Sequence, residues 1–279
     1  MKIGFSTWGM PGVPIDRALE HLARLGFTGV EPTVIPGFTT ELDTLDAGER
    51  RRIRALFDRH GLDMPAVAGH QGVLSRDAAQ HAECWRRLTG ALDLCAEWAG
   101  PAGPPALDTT LGGAPADWDS SGELLLERTG QLVEYAASRG VVVAVEPHVS
   151  SILDRPEKTL WLLEQIDSPY LRLNFDISHF DVLGIPTAES VAALAPYTAH
   201  THVKDQRGRA PDHEFLIPGE GPFDFVEYLR EMARAGYDGY ITAEVSFMVQ
   251  RRPGYDPLAA AELTWRTLST AFREAGLSA

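Results

Sequence analysis

The segment AHTHVKD, residues 199–205, places His200, His202 and Lys204 at alternating positions with Ala199, Thr201 and Val203 between them. Side chains alternate across a β-strand, so the three basic groups share one face and the small and apolar ones the other. Three basic groups on one side of a strand need negative partners. Candidates end other short apolar runs: Glu146 in VVVAVEPH (141–148), Asp176 in LRLNFDISH (171–179) and Glu244 in GYITAEVS (239–246). Three carboxylates drawn into one cavity repel and cannot all ionise without compensation. A divalent cation supplies it. Three oxygen donors and one imidazole suit Mn²⁺, Co²⁺ or Mg²⁺, with Zn²⁺ a further option. Glu146, Asp176, His202 and Glu244 are therefore expected to bind one divalent metal ion, Mn²⁺ foremost. His200 and Lys204 are left to face the surrounding carboxylates or a substrate.

The elements needed to converge these groups are legible as a rhythm. Five more strand candidates are KIGFSTW (2–8), GVEPTV (29–34), MPAVAGH (64–70), PPALDTT (104–110) and AHTHVKD itself. Each of the eight is followed by an amphipathic stretch, several closing on glycine. IDRALEHLARLG, DAGERRRIRALFDRHG with Asp46 as N-cap, 77–98, LLLERTGQLVEYAASRG, RPEKTLWLLEQID, TAESVAALA, PFDFVEYLREMARAG and PLAAAELTWRTLSTAFREAG are the expected helices. Eight strand–helix units imply parallel strands with crossover helices. At 279 residues a single-domain (β/α)8 TIM barrel spanning 1–279 is the favoured closure. A doubly wound open sheet is the alternative, and STWGMPG lacks the glycine spacing of its phosphate loop. Catalytic groups of a barrel collect at the C-terminal ends of its strands, where Glu146, Asp176, His202 and Glu244 stand.

A net charge of −14 and a pI near 5.0 argue against a nucleic-acid or anionic-membrane partner. No apolar run approaches the ~20 residues of a membrane span, and MKIGFSTWGM reads as a strand and loop rather than a secretory signal. A cytoplasmic protein is expected, with a homo-oligomer left open. Cys84 and Cys95 fall eleven residues apart on one expected helix. At ~1.5 Å rise per residue they are roughly 16 Å apart, too far for a disulfide within it.

VEPH, NFDISHF, HTHVKD, GEGPFDF (219–225) and GYDGYITAEVS (236–246) together resemble the xylose-isomerase-like TIM-barrel superfamily. That superfamily holds sugar isomerases and epimerases, inosose-processing enzymes, 3-dehydroshikimate dehydratases and endonuclease IV. The resemblance implies that the strand-five Glu146, strand-six Asp176, strand-seven His202 and strand-eight Glu244 bind one metal. It implies that Glu146 and Glu244 act as acid and base, and that His179, the histidine of D-x-x-H, touches substrate oxygens. Two features depart from the ketose 3-epimerases. Ser150 and Ser151 stand where those enzymes carry a further glutamate, and the arginine they place after the strand-seven histidine has only an out-of-register counterpart in Arg207 or Arg209. Endonuclease IV uses many more histidines than the nine here.

The chemistry expected is proton abstraction beside a carbonyl, through a metal-stabilised enediolate, on a small-molecule sugar or cyclitol. Return of the proton to the opposite face gives an epimerase, and return to the neighbouring carbon an isomerase. The alternative is a lyase or dehydratase carrying out β-elimination on an oxidised sugar such as a 3-keto-glycoside. Glu146 and Glu244 are the expected bases, with His148 or His179 as relay. Trp8, His70, His179, Lys204 and Arg207 are candidate substrate contacts. Glu31 is a candidate hydrogen-bond partner of a ligand or a salt bridge inside the barrel, and GEGPFDF is expected to close over the barrel rim, its tight backbone permitted by Gly219 and Gly221.

Overall fold

A computed structural model of the protein describes residues 1–278. Strands β1 (Lys2–Ser6), β2 (Gly29–Glu31), β3 (Ala66–Ala68), β4 (Ala106–Thr109), β5 (Val143–Val145), β6 (Leu171–Asp176) and β7 (Thr198–Val203) are followed by a hairpin, β8 (Asp205–Arg207) and β9 (Glu214–Leu216), and then by β10 (Tyr240–Ala243). The eight barrel strands are all parallel and run in the order β2-β1-β10-β7-β6-β5-β4-β3. The seam between β2 and β3 closes through the bridges Gly29 to Asp63 and Thr33 to Ala68. Pro32 has no amide to donate there, but its carbonyl accepts from Ala68 at 2.9 Å, and Val34 donates to the Ala68 carbonyl at 2.8 Å. The sheet is therefore a nearly closed (β/α)8 barrel, and the open-sheet alternative is excluded.

Helices α1 (Ile15–Leu25), α2 (Ala47–His60), α3 (Ala78–Glu97), α4 (Trp118–Arg139), α5 (Pro156–Ile166), α6 (Ile177–Asp181), α7 (Thr187–Leu194), α8 (Phe225–Arg234), α9 (Phe247–Gln250) and α10 (Pro257–Ala275) complete the chain. Asp46 caps α2 as expected, accepting from the Glu49 amide at 2.8 Å. Helix α4 begins six residues before the expected LLLERTG stretch. Its first residue, Trp118, is anchored edge-on to Trp161, 5.1 Å between ring centroids. The expected strand 171–179 stops at Asp176 because the Asp176 carboxylate accepts from the Ser178 amide at 2.9 Å and starts α6. Cys84 and Cys95 are both free thiols. No helix among the described residues is long and apolar enough to cross a membrane.

Alternation within the strands divides two environments. Val67, Leu107, Val143, Val145, Leu173, Phe175, Val203 and Ile241 join the core between the sheet and the helices. Their neighbours face the barrel axis. Ala66, Ala106 and Ala144 form a small apolar layer of their own. Above them come Glu31, Asp108, Asn174, His200, His202 and Thr242, all fully buried. Barrel interiors are commonly filled by branched apolar residues. Here alanines and glycines leave room for a layer of ionisable side chains, and that layer supports the site.

Candidate active site at the C-terminal end of the barrel

Strand register sets the site. Asp176 pairs with His202 across β6 and β7, and Thr242 pairs with His202 across β10 and β7. One residue past their strands, Glu146 and Glu244 keep the ladder going, their amides donating to the Thr109 and Val203 carbonyls at 2.9 and 3.1 Å. Ligand atoms of Glu146, Asp176, His202 and Glu244 consequently lie within 4.8 Å of one another, and all four residues are buried. This arrangement fits a divalent cation on donor chemistry: three carboxylates and one imidazole converge where water cannot screen their charge.

His202 is oriented from both sides. Its Nε2 lies 3.0 Å from Glu31 Oε1, while Nδ1 faces Glu146 Oε1 at 3.3 Å and Glu244 Oε2 at 3.9 Å. Ser6 donates to Glu31 Oε1 at 2.5 Å, and His200 Nε2 sits 2.9 Å from Glu31 Oε2. A carboxylate behind a histidine fixes the ring and turns the far nitrogen to the cavity side, where Nδ1 also lies 3.0 Å from Asn174 Nδ2. Burial opposes a charge on His202, but Glu31, Glu244 and Glu146 outweigh it and hold its pKa well above the usual value. Burial would likewise raise Glu31, yet His202 and His200 keep it ionised.

Lys204 is the second cation. Its Nζ is bonded to both Asp176 Oδ2 and Glu244 Oε2 and lies 4.0 Å from Glu146 Oε1. Against burial, these three carboxylates raise the lysine pKa. Against its burial, Lys204 foremost, then His179 and His202, bring Asp176 down to about 2. Glu146 is also held low, through His202 and Lys204 against burial. Glu244 goes the other way: burial outweighs Lys204 and His202, and its pKa is raised.

Above this cluster a cavity of about 190 Å³ opens at the strand ends. Glu146, Glu244 and Lys204 form its floor. Trp8, His70, His148, His179, Phe215 and Phe247 supply its walls, with Thr110 and Ser246. Trp8 stacks on Phe38 at 5.4 Å and meets Phe247 at 4.7 Å. His148 Nδ1 accepts from the Ser150 amide at 3.1 Å, so the neutral ring carries its proton on Nε2. His70 is fixed the same way by the Thr110 amide at 3.2 Å. His179 stacks on His148 at 3.9 Å, and neither of its ring nitrogens has a hydrogen-bond partner. Burial lowers all three histidines, so each sits neutral near pH 7.

The structure thus brings Trp8, His70, Glu146, His148, His179, Lys204 and Glu244 to the cavity, with Asp176 and His202 directly beneath. Arg207 is not brought there. Its side chain is 63% exposed and binds Glu214 Oε2 within the β8–β9 hairpin. Ser150 and Ser151 are also absent from the lining, Ser150 serving to cap His148. Three neighbours had no place in the sequence reading. Asp108, with no hydrogen-bond partner for either oxygen, is raised by burial and by Glu31. Its position two residues after Ala106 on a strand was the available signal. Phe215 arrives on the hairpin and Phe247 on α9, and no periodicity marks either. The GEGPFDF segment contributes no residue to the cavity lining and is tied to β8: the buried Asp205 accepts from the amides of Gly219, Gly221 and Phe223 at 3.0, 2.8 and 3.1 Å. Gly219 has φ +104°, and a Cβ on Gly221 would fall 2.4 Å from Asp205 Oδ1.

Comparison with known proteins agrees with this geometry. Residues 19–267 match the family model described as a xylose isomerase-like TIM barrel. Fructoselysine 3-epimerase from Escherichia coli O157:H7 is 26% identical over 261 residues, which cover 91% of this chain and 93% of that enzyme. Inosose dehydratase from Geobacillus thermodenitrificans is 23% identical over 143 residues, 46% of this chain and 47% of that one. Among solved structures, the IOLI protein with a bound zinc atom superposes with a TM-score of 0.79 at 17% identity, covering 98% of this chain and 99% of that one. Relatives of this chain include epimerases, isomerases and dehydratases. By the extent of that match and by its barrel, the chain belongs to the xylose isomerase-like TIM-barrel family.

Proposed function

We propose that this protein is a divalent-metal-dependent isomerase or epimerase of a small sugar or cyclitol, acting by proton abstraction beside a carbonyl. The observation that carries the reading is the convergence of Glu146, Asp176, His202 and Glu244 beneath one small cavity at the strand ends. Those four residues would hold the ion, Mn²⁺ foremost, and the ion would act as a Lewis acid on a substrate carbonyl oxygen.

The chain's own groups do the rest. Glu31 holds His202 in place. Glu146 and Glu244, at the cavity floor, are the carboxylates that would take a proton from a substrate C–H and return it. His148, with its N–H on Nε2, and His179, whose Nε2 lies 3.4 Å from Asp176 Oδ2, both line the cavity where substrate oxygens would sit. Trp8, Phe215 and Phe247 give apolar walls for the C–H faces of a sugar and keep water from the developing carbanion. The two free cysteines fit a reducing compartment, so we place the protein in the cytoplasm.

One observation favours a second reading, elimination from an oxidised sugar. Loss of a β-hydroxyl needs a proton at the leaving oxygen: the floor carboxylate that takes the substrate proton would pass it there, and the neutral His148 Nε2–H would hydrogen-bond the same oxygen, beside Ser150 and Ser151, where the resemblance sets a further glutamate in the ketose 3-epimerases. The test is a product screen of keto-sugars, inososes and 3-keto-glycosides with Mn²⁺, Co²⁺ or Mg²⁺ in deuterated water. Solvent deuterium in an isomeric product supports the leading reading. Unsaturated, dehydrated products support the second, and no deuterium uptake or turnover with any substrate rejects both.

A further inference from the structure

Asp176 has no spare oxygen. Its Oδ1 accepts from the Ser178 amide at 2.9 Å and from the Ser178 hydroxyl at 2.6 Å. Its Oδ2 is bonded to Lys204 Nζ and lies 3.4 Å from His179 Nε2. Lys204 simultaneously holds Glu244 Oε2, the oxygen nearest His202 Nδ1. The ammonium therefore occupies the oxygens that an ion would need, and it does so while 3% exposed. A dication and an ammonium sharing those oxygens would face each other at bonding distances in a site with little water, where like charges repel strongly.

We propose that Lys204 is an exchangeable counter-ion: a divalent cation and the Lys204 ammonium compete for Asp176 Oδ2 and Glu244 Oε2, and entry of the ion drives the ammonium up into the cavity. This rests on the metal-dependent reading above and extends it. The side chain has somewhere to go, because Lys204 already lines the cavity beneath the Phe215 ring, with Nζ 5.6 Å from the ring centroid. Before exchange, the ammonium keeps three buried carboxylates from repelling one another, so the site is assembled ahead of ion binding. After exchange, the same charge faces whatever oxygen the substrate presents. One residue thus couples occupation of the ion site to the polarity of the substrate cavity.

The test measures Mn²⁺ affinity by calorimetry and thermal midpoints in chelator for the whole chain and for Lys204→Met and Lys204→Gln, with Lys204→Arg as the variant that keeps the charge. Competition predicts that both neutral variants bind Mn²⁺ about tenfold or more tightly than the native chain. In chelator they melt below it, and saturating Mn²⁺ raises their midpoints by more than it raises the native one. Lys204→Arg gains no affinity. Should Lys204→Met fail to fold without an ion, refolding it in Mn²⁺ and titrating the ion away with a competing chelator gives the same affinity. Equal or weaker Mn²⁺ binding by the neutral variants overturns the exchange while leaving the metal site standing. Absence of Mn²⁺ binding in every protein, the native chain included, overturns both.

Discussion

His202 Nε2 and Glu31 Oε1 are 3.0 Å apart inside the barrel, on strands 171 residues apart in sequence, and this contact turns His202 Nδ1 toward Glu146. Glu31 does not line the cavity, and besides His202 it holds Ser6 and His200. Its substitution by glutamine keeps the shape but removes the charge that fixes the ring. We expect Glu31→Gln to weaken Mn²⁺ binding about 10–100-fold with the fold intact. Calorimetric titration checks this, and an unchanged dissociation constant would show that His202 needs no such support.

Glu244 is positioned to move a proton as well as to hold an ion. Glu244→Gln is expected to lower kcat by about 10²–10⁴ at saturating Mn²⁺. A purely binding barrel would instead retain its affinity for sugar and show no turnover in the native chain. Steady-state rates, with sugar binding measured alongside, separate the two.

Proton release should accompany ion binding. The raised pKa of His202 means that the native state holds a proton there that the unfolded chain loses above about 6.5. That proton contributes stability fully present below pH 6.5, lost as pH rises through the raised value. An ion on Nδ1 must displace it, so Mn²⁺ affinity should fall as pH drops through that same window. Calorimetry in two buffers of different ionisation enthalpy reads the released proton directly. Identical apparent enthalpies in both would contradict the assignment.

Trp8 carries a wall of the cavity, stacked on Phe38 and in tilted contact with Phe247. Replacing it with alanine is expected to cost about 1 kcal/mol of substrate binding, roughly fivefold in KM. The value of kcat should change little, because Trp8 touches none of the four proposed ligands. A loss confined to kcat would argue for a different role.

The fold and the floor of the site were legible in the sequence for a common reason. Parallel strands buried on both faces leave short apolar runs, and a carboxylate or histidine ending such a run has few places to be except the barrel mouth. Glu146, Asp176, His202 and Glu244 all carried that mark. Of the walls, Trp8, His70, His148 and His179 were readable from their places at or just past strand ends, while Phe215 and Phe247 were not. Phe215 depends on the β8–β9 hairpin, whose strands of three residues are too short to show alternation. Arg207 looked like a substrate contact by its distance from His202 along the chain, but the hairpin turns it outward to Glu214. Asp108 was hidden because PPALDTT reads as an ordinary strand, and only the closed barrel reveals that it faces two other carboxylates, Glu31 and Glu146. The double commitment of Asp176 to Ser178 and Lys204 needed coordinates, since sequence gives the neighbours of a carboxylate but not of each oxygen.

The most direct test of the account is an anomalous difference map from crystals of the native protein soaked in Mn²⁺. The account predicts a single strong peak within coordination distance, about 2.0–2.6 Å, of Glu146, Asp176, His202 Nδ1 and Glu244, with Lys204 Nζ moved off Asp176. A map with no peak among those four side chains, or with the ion bound elsewhere while the enzyme is active, would contradict it.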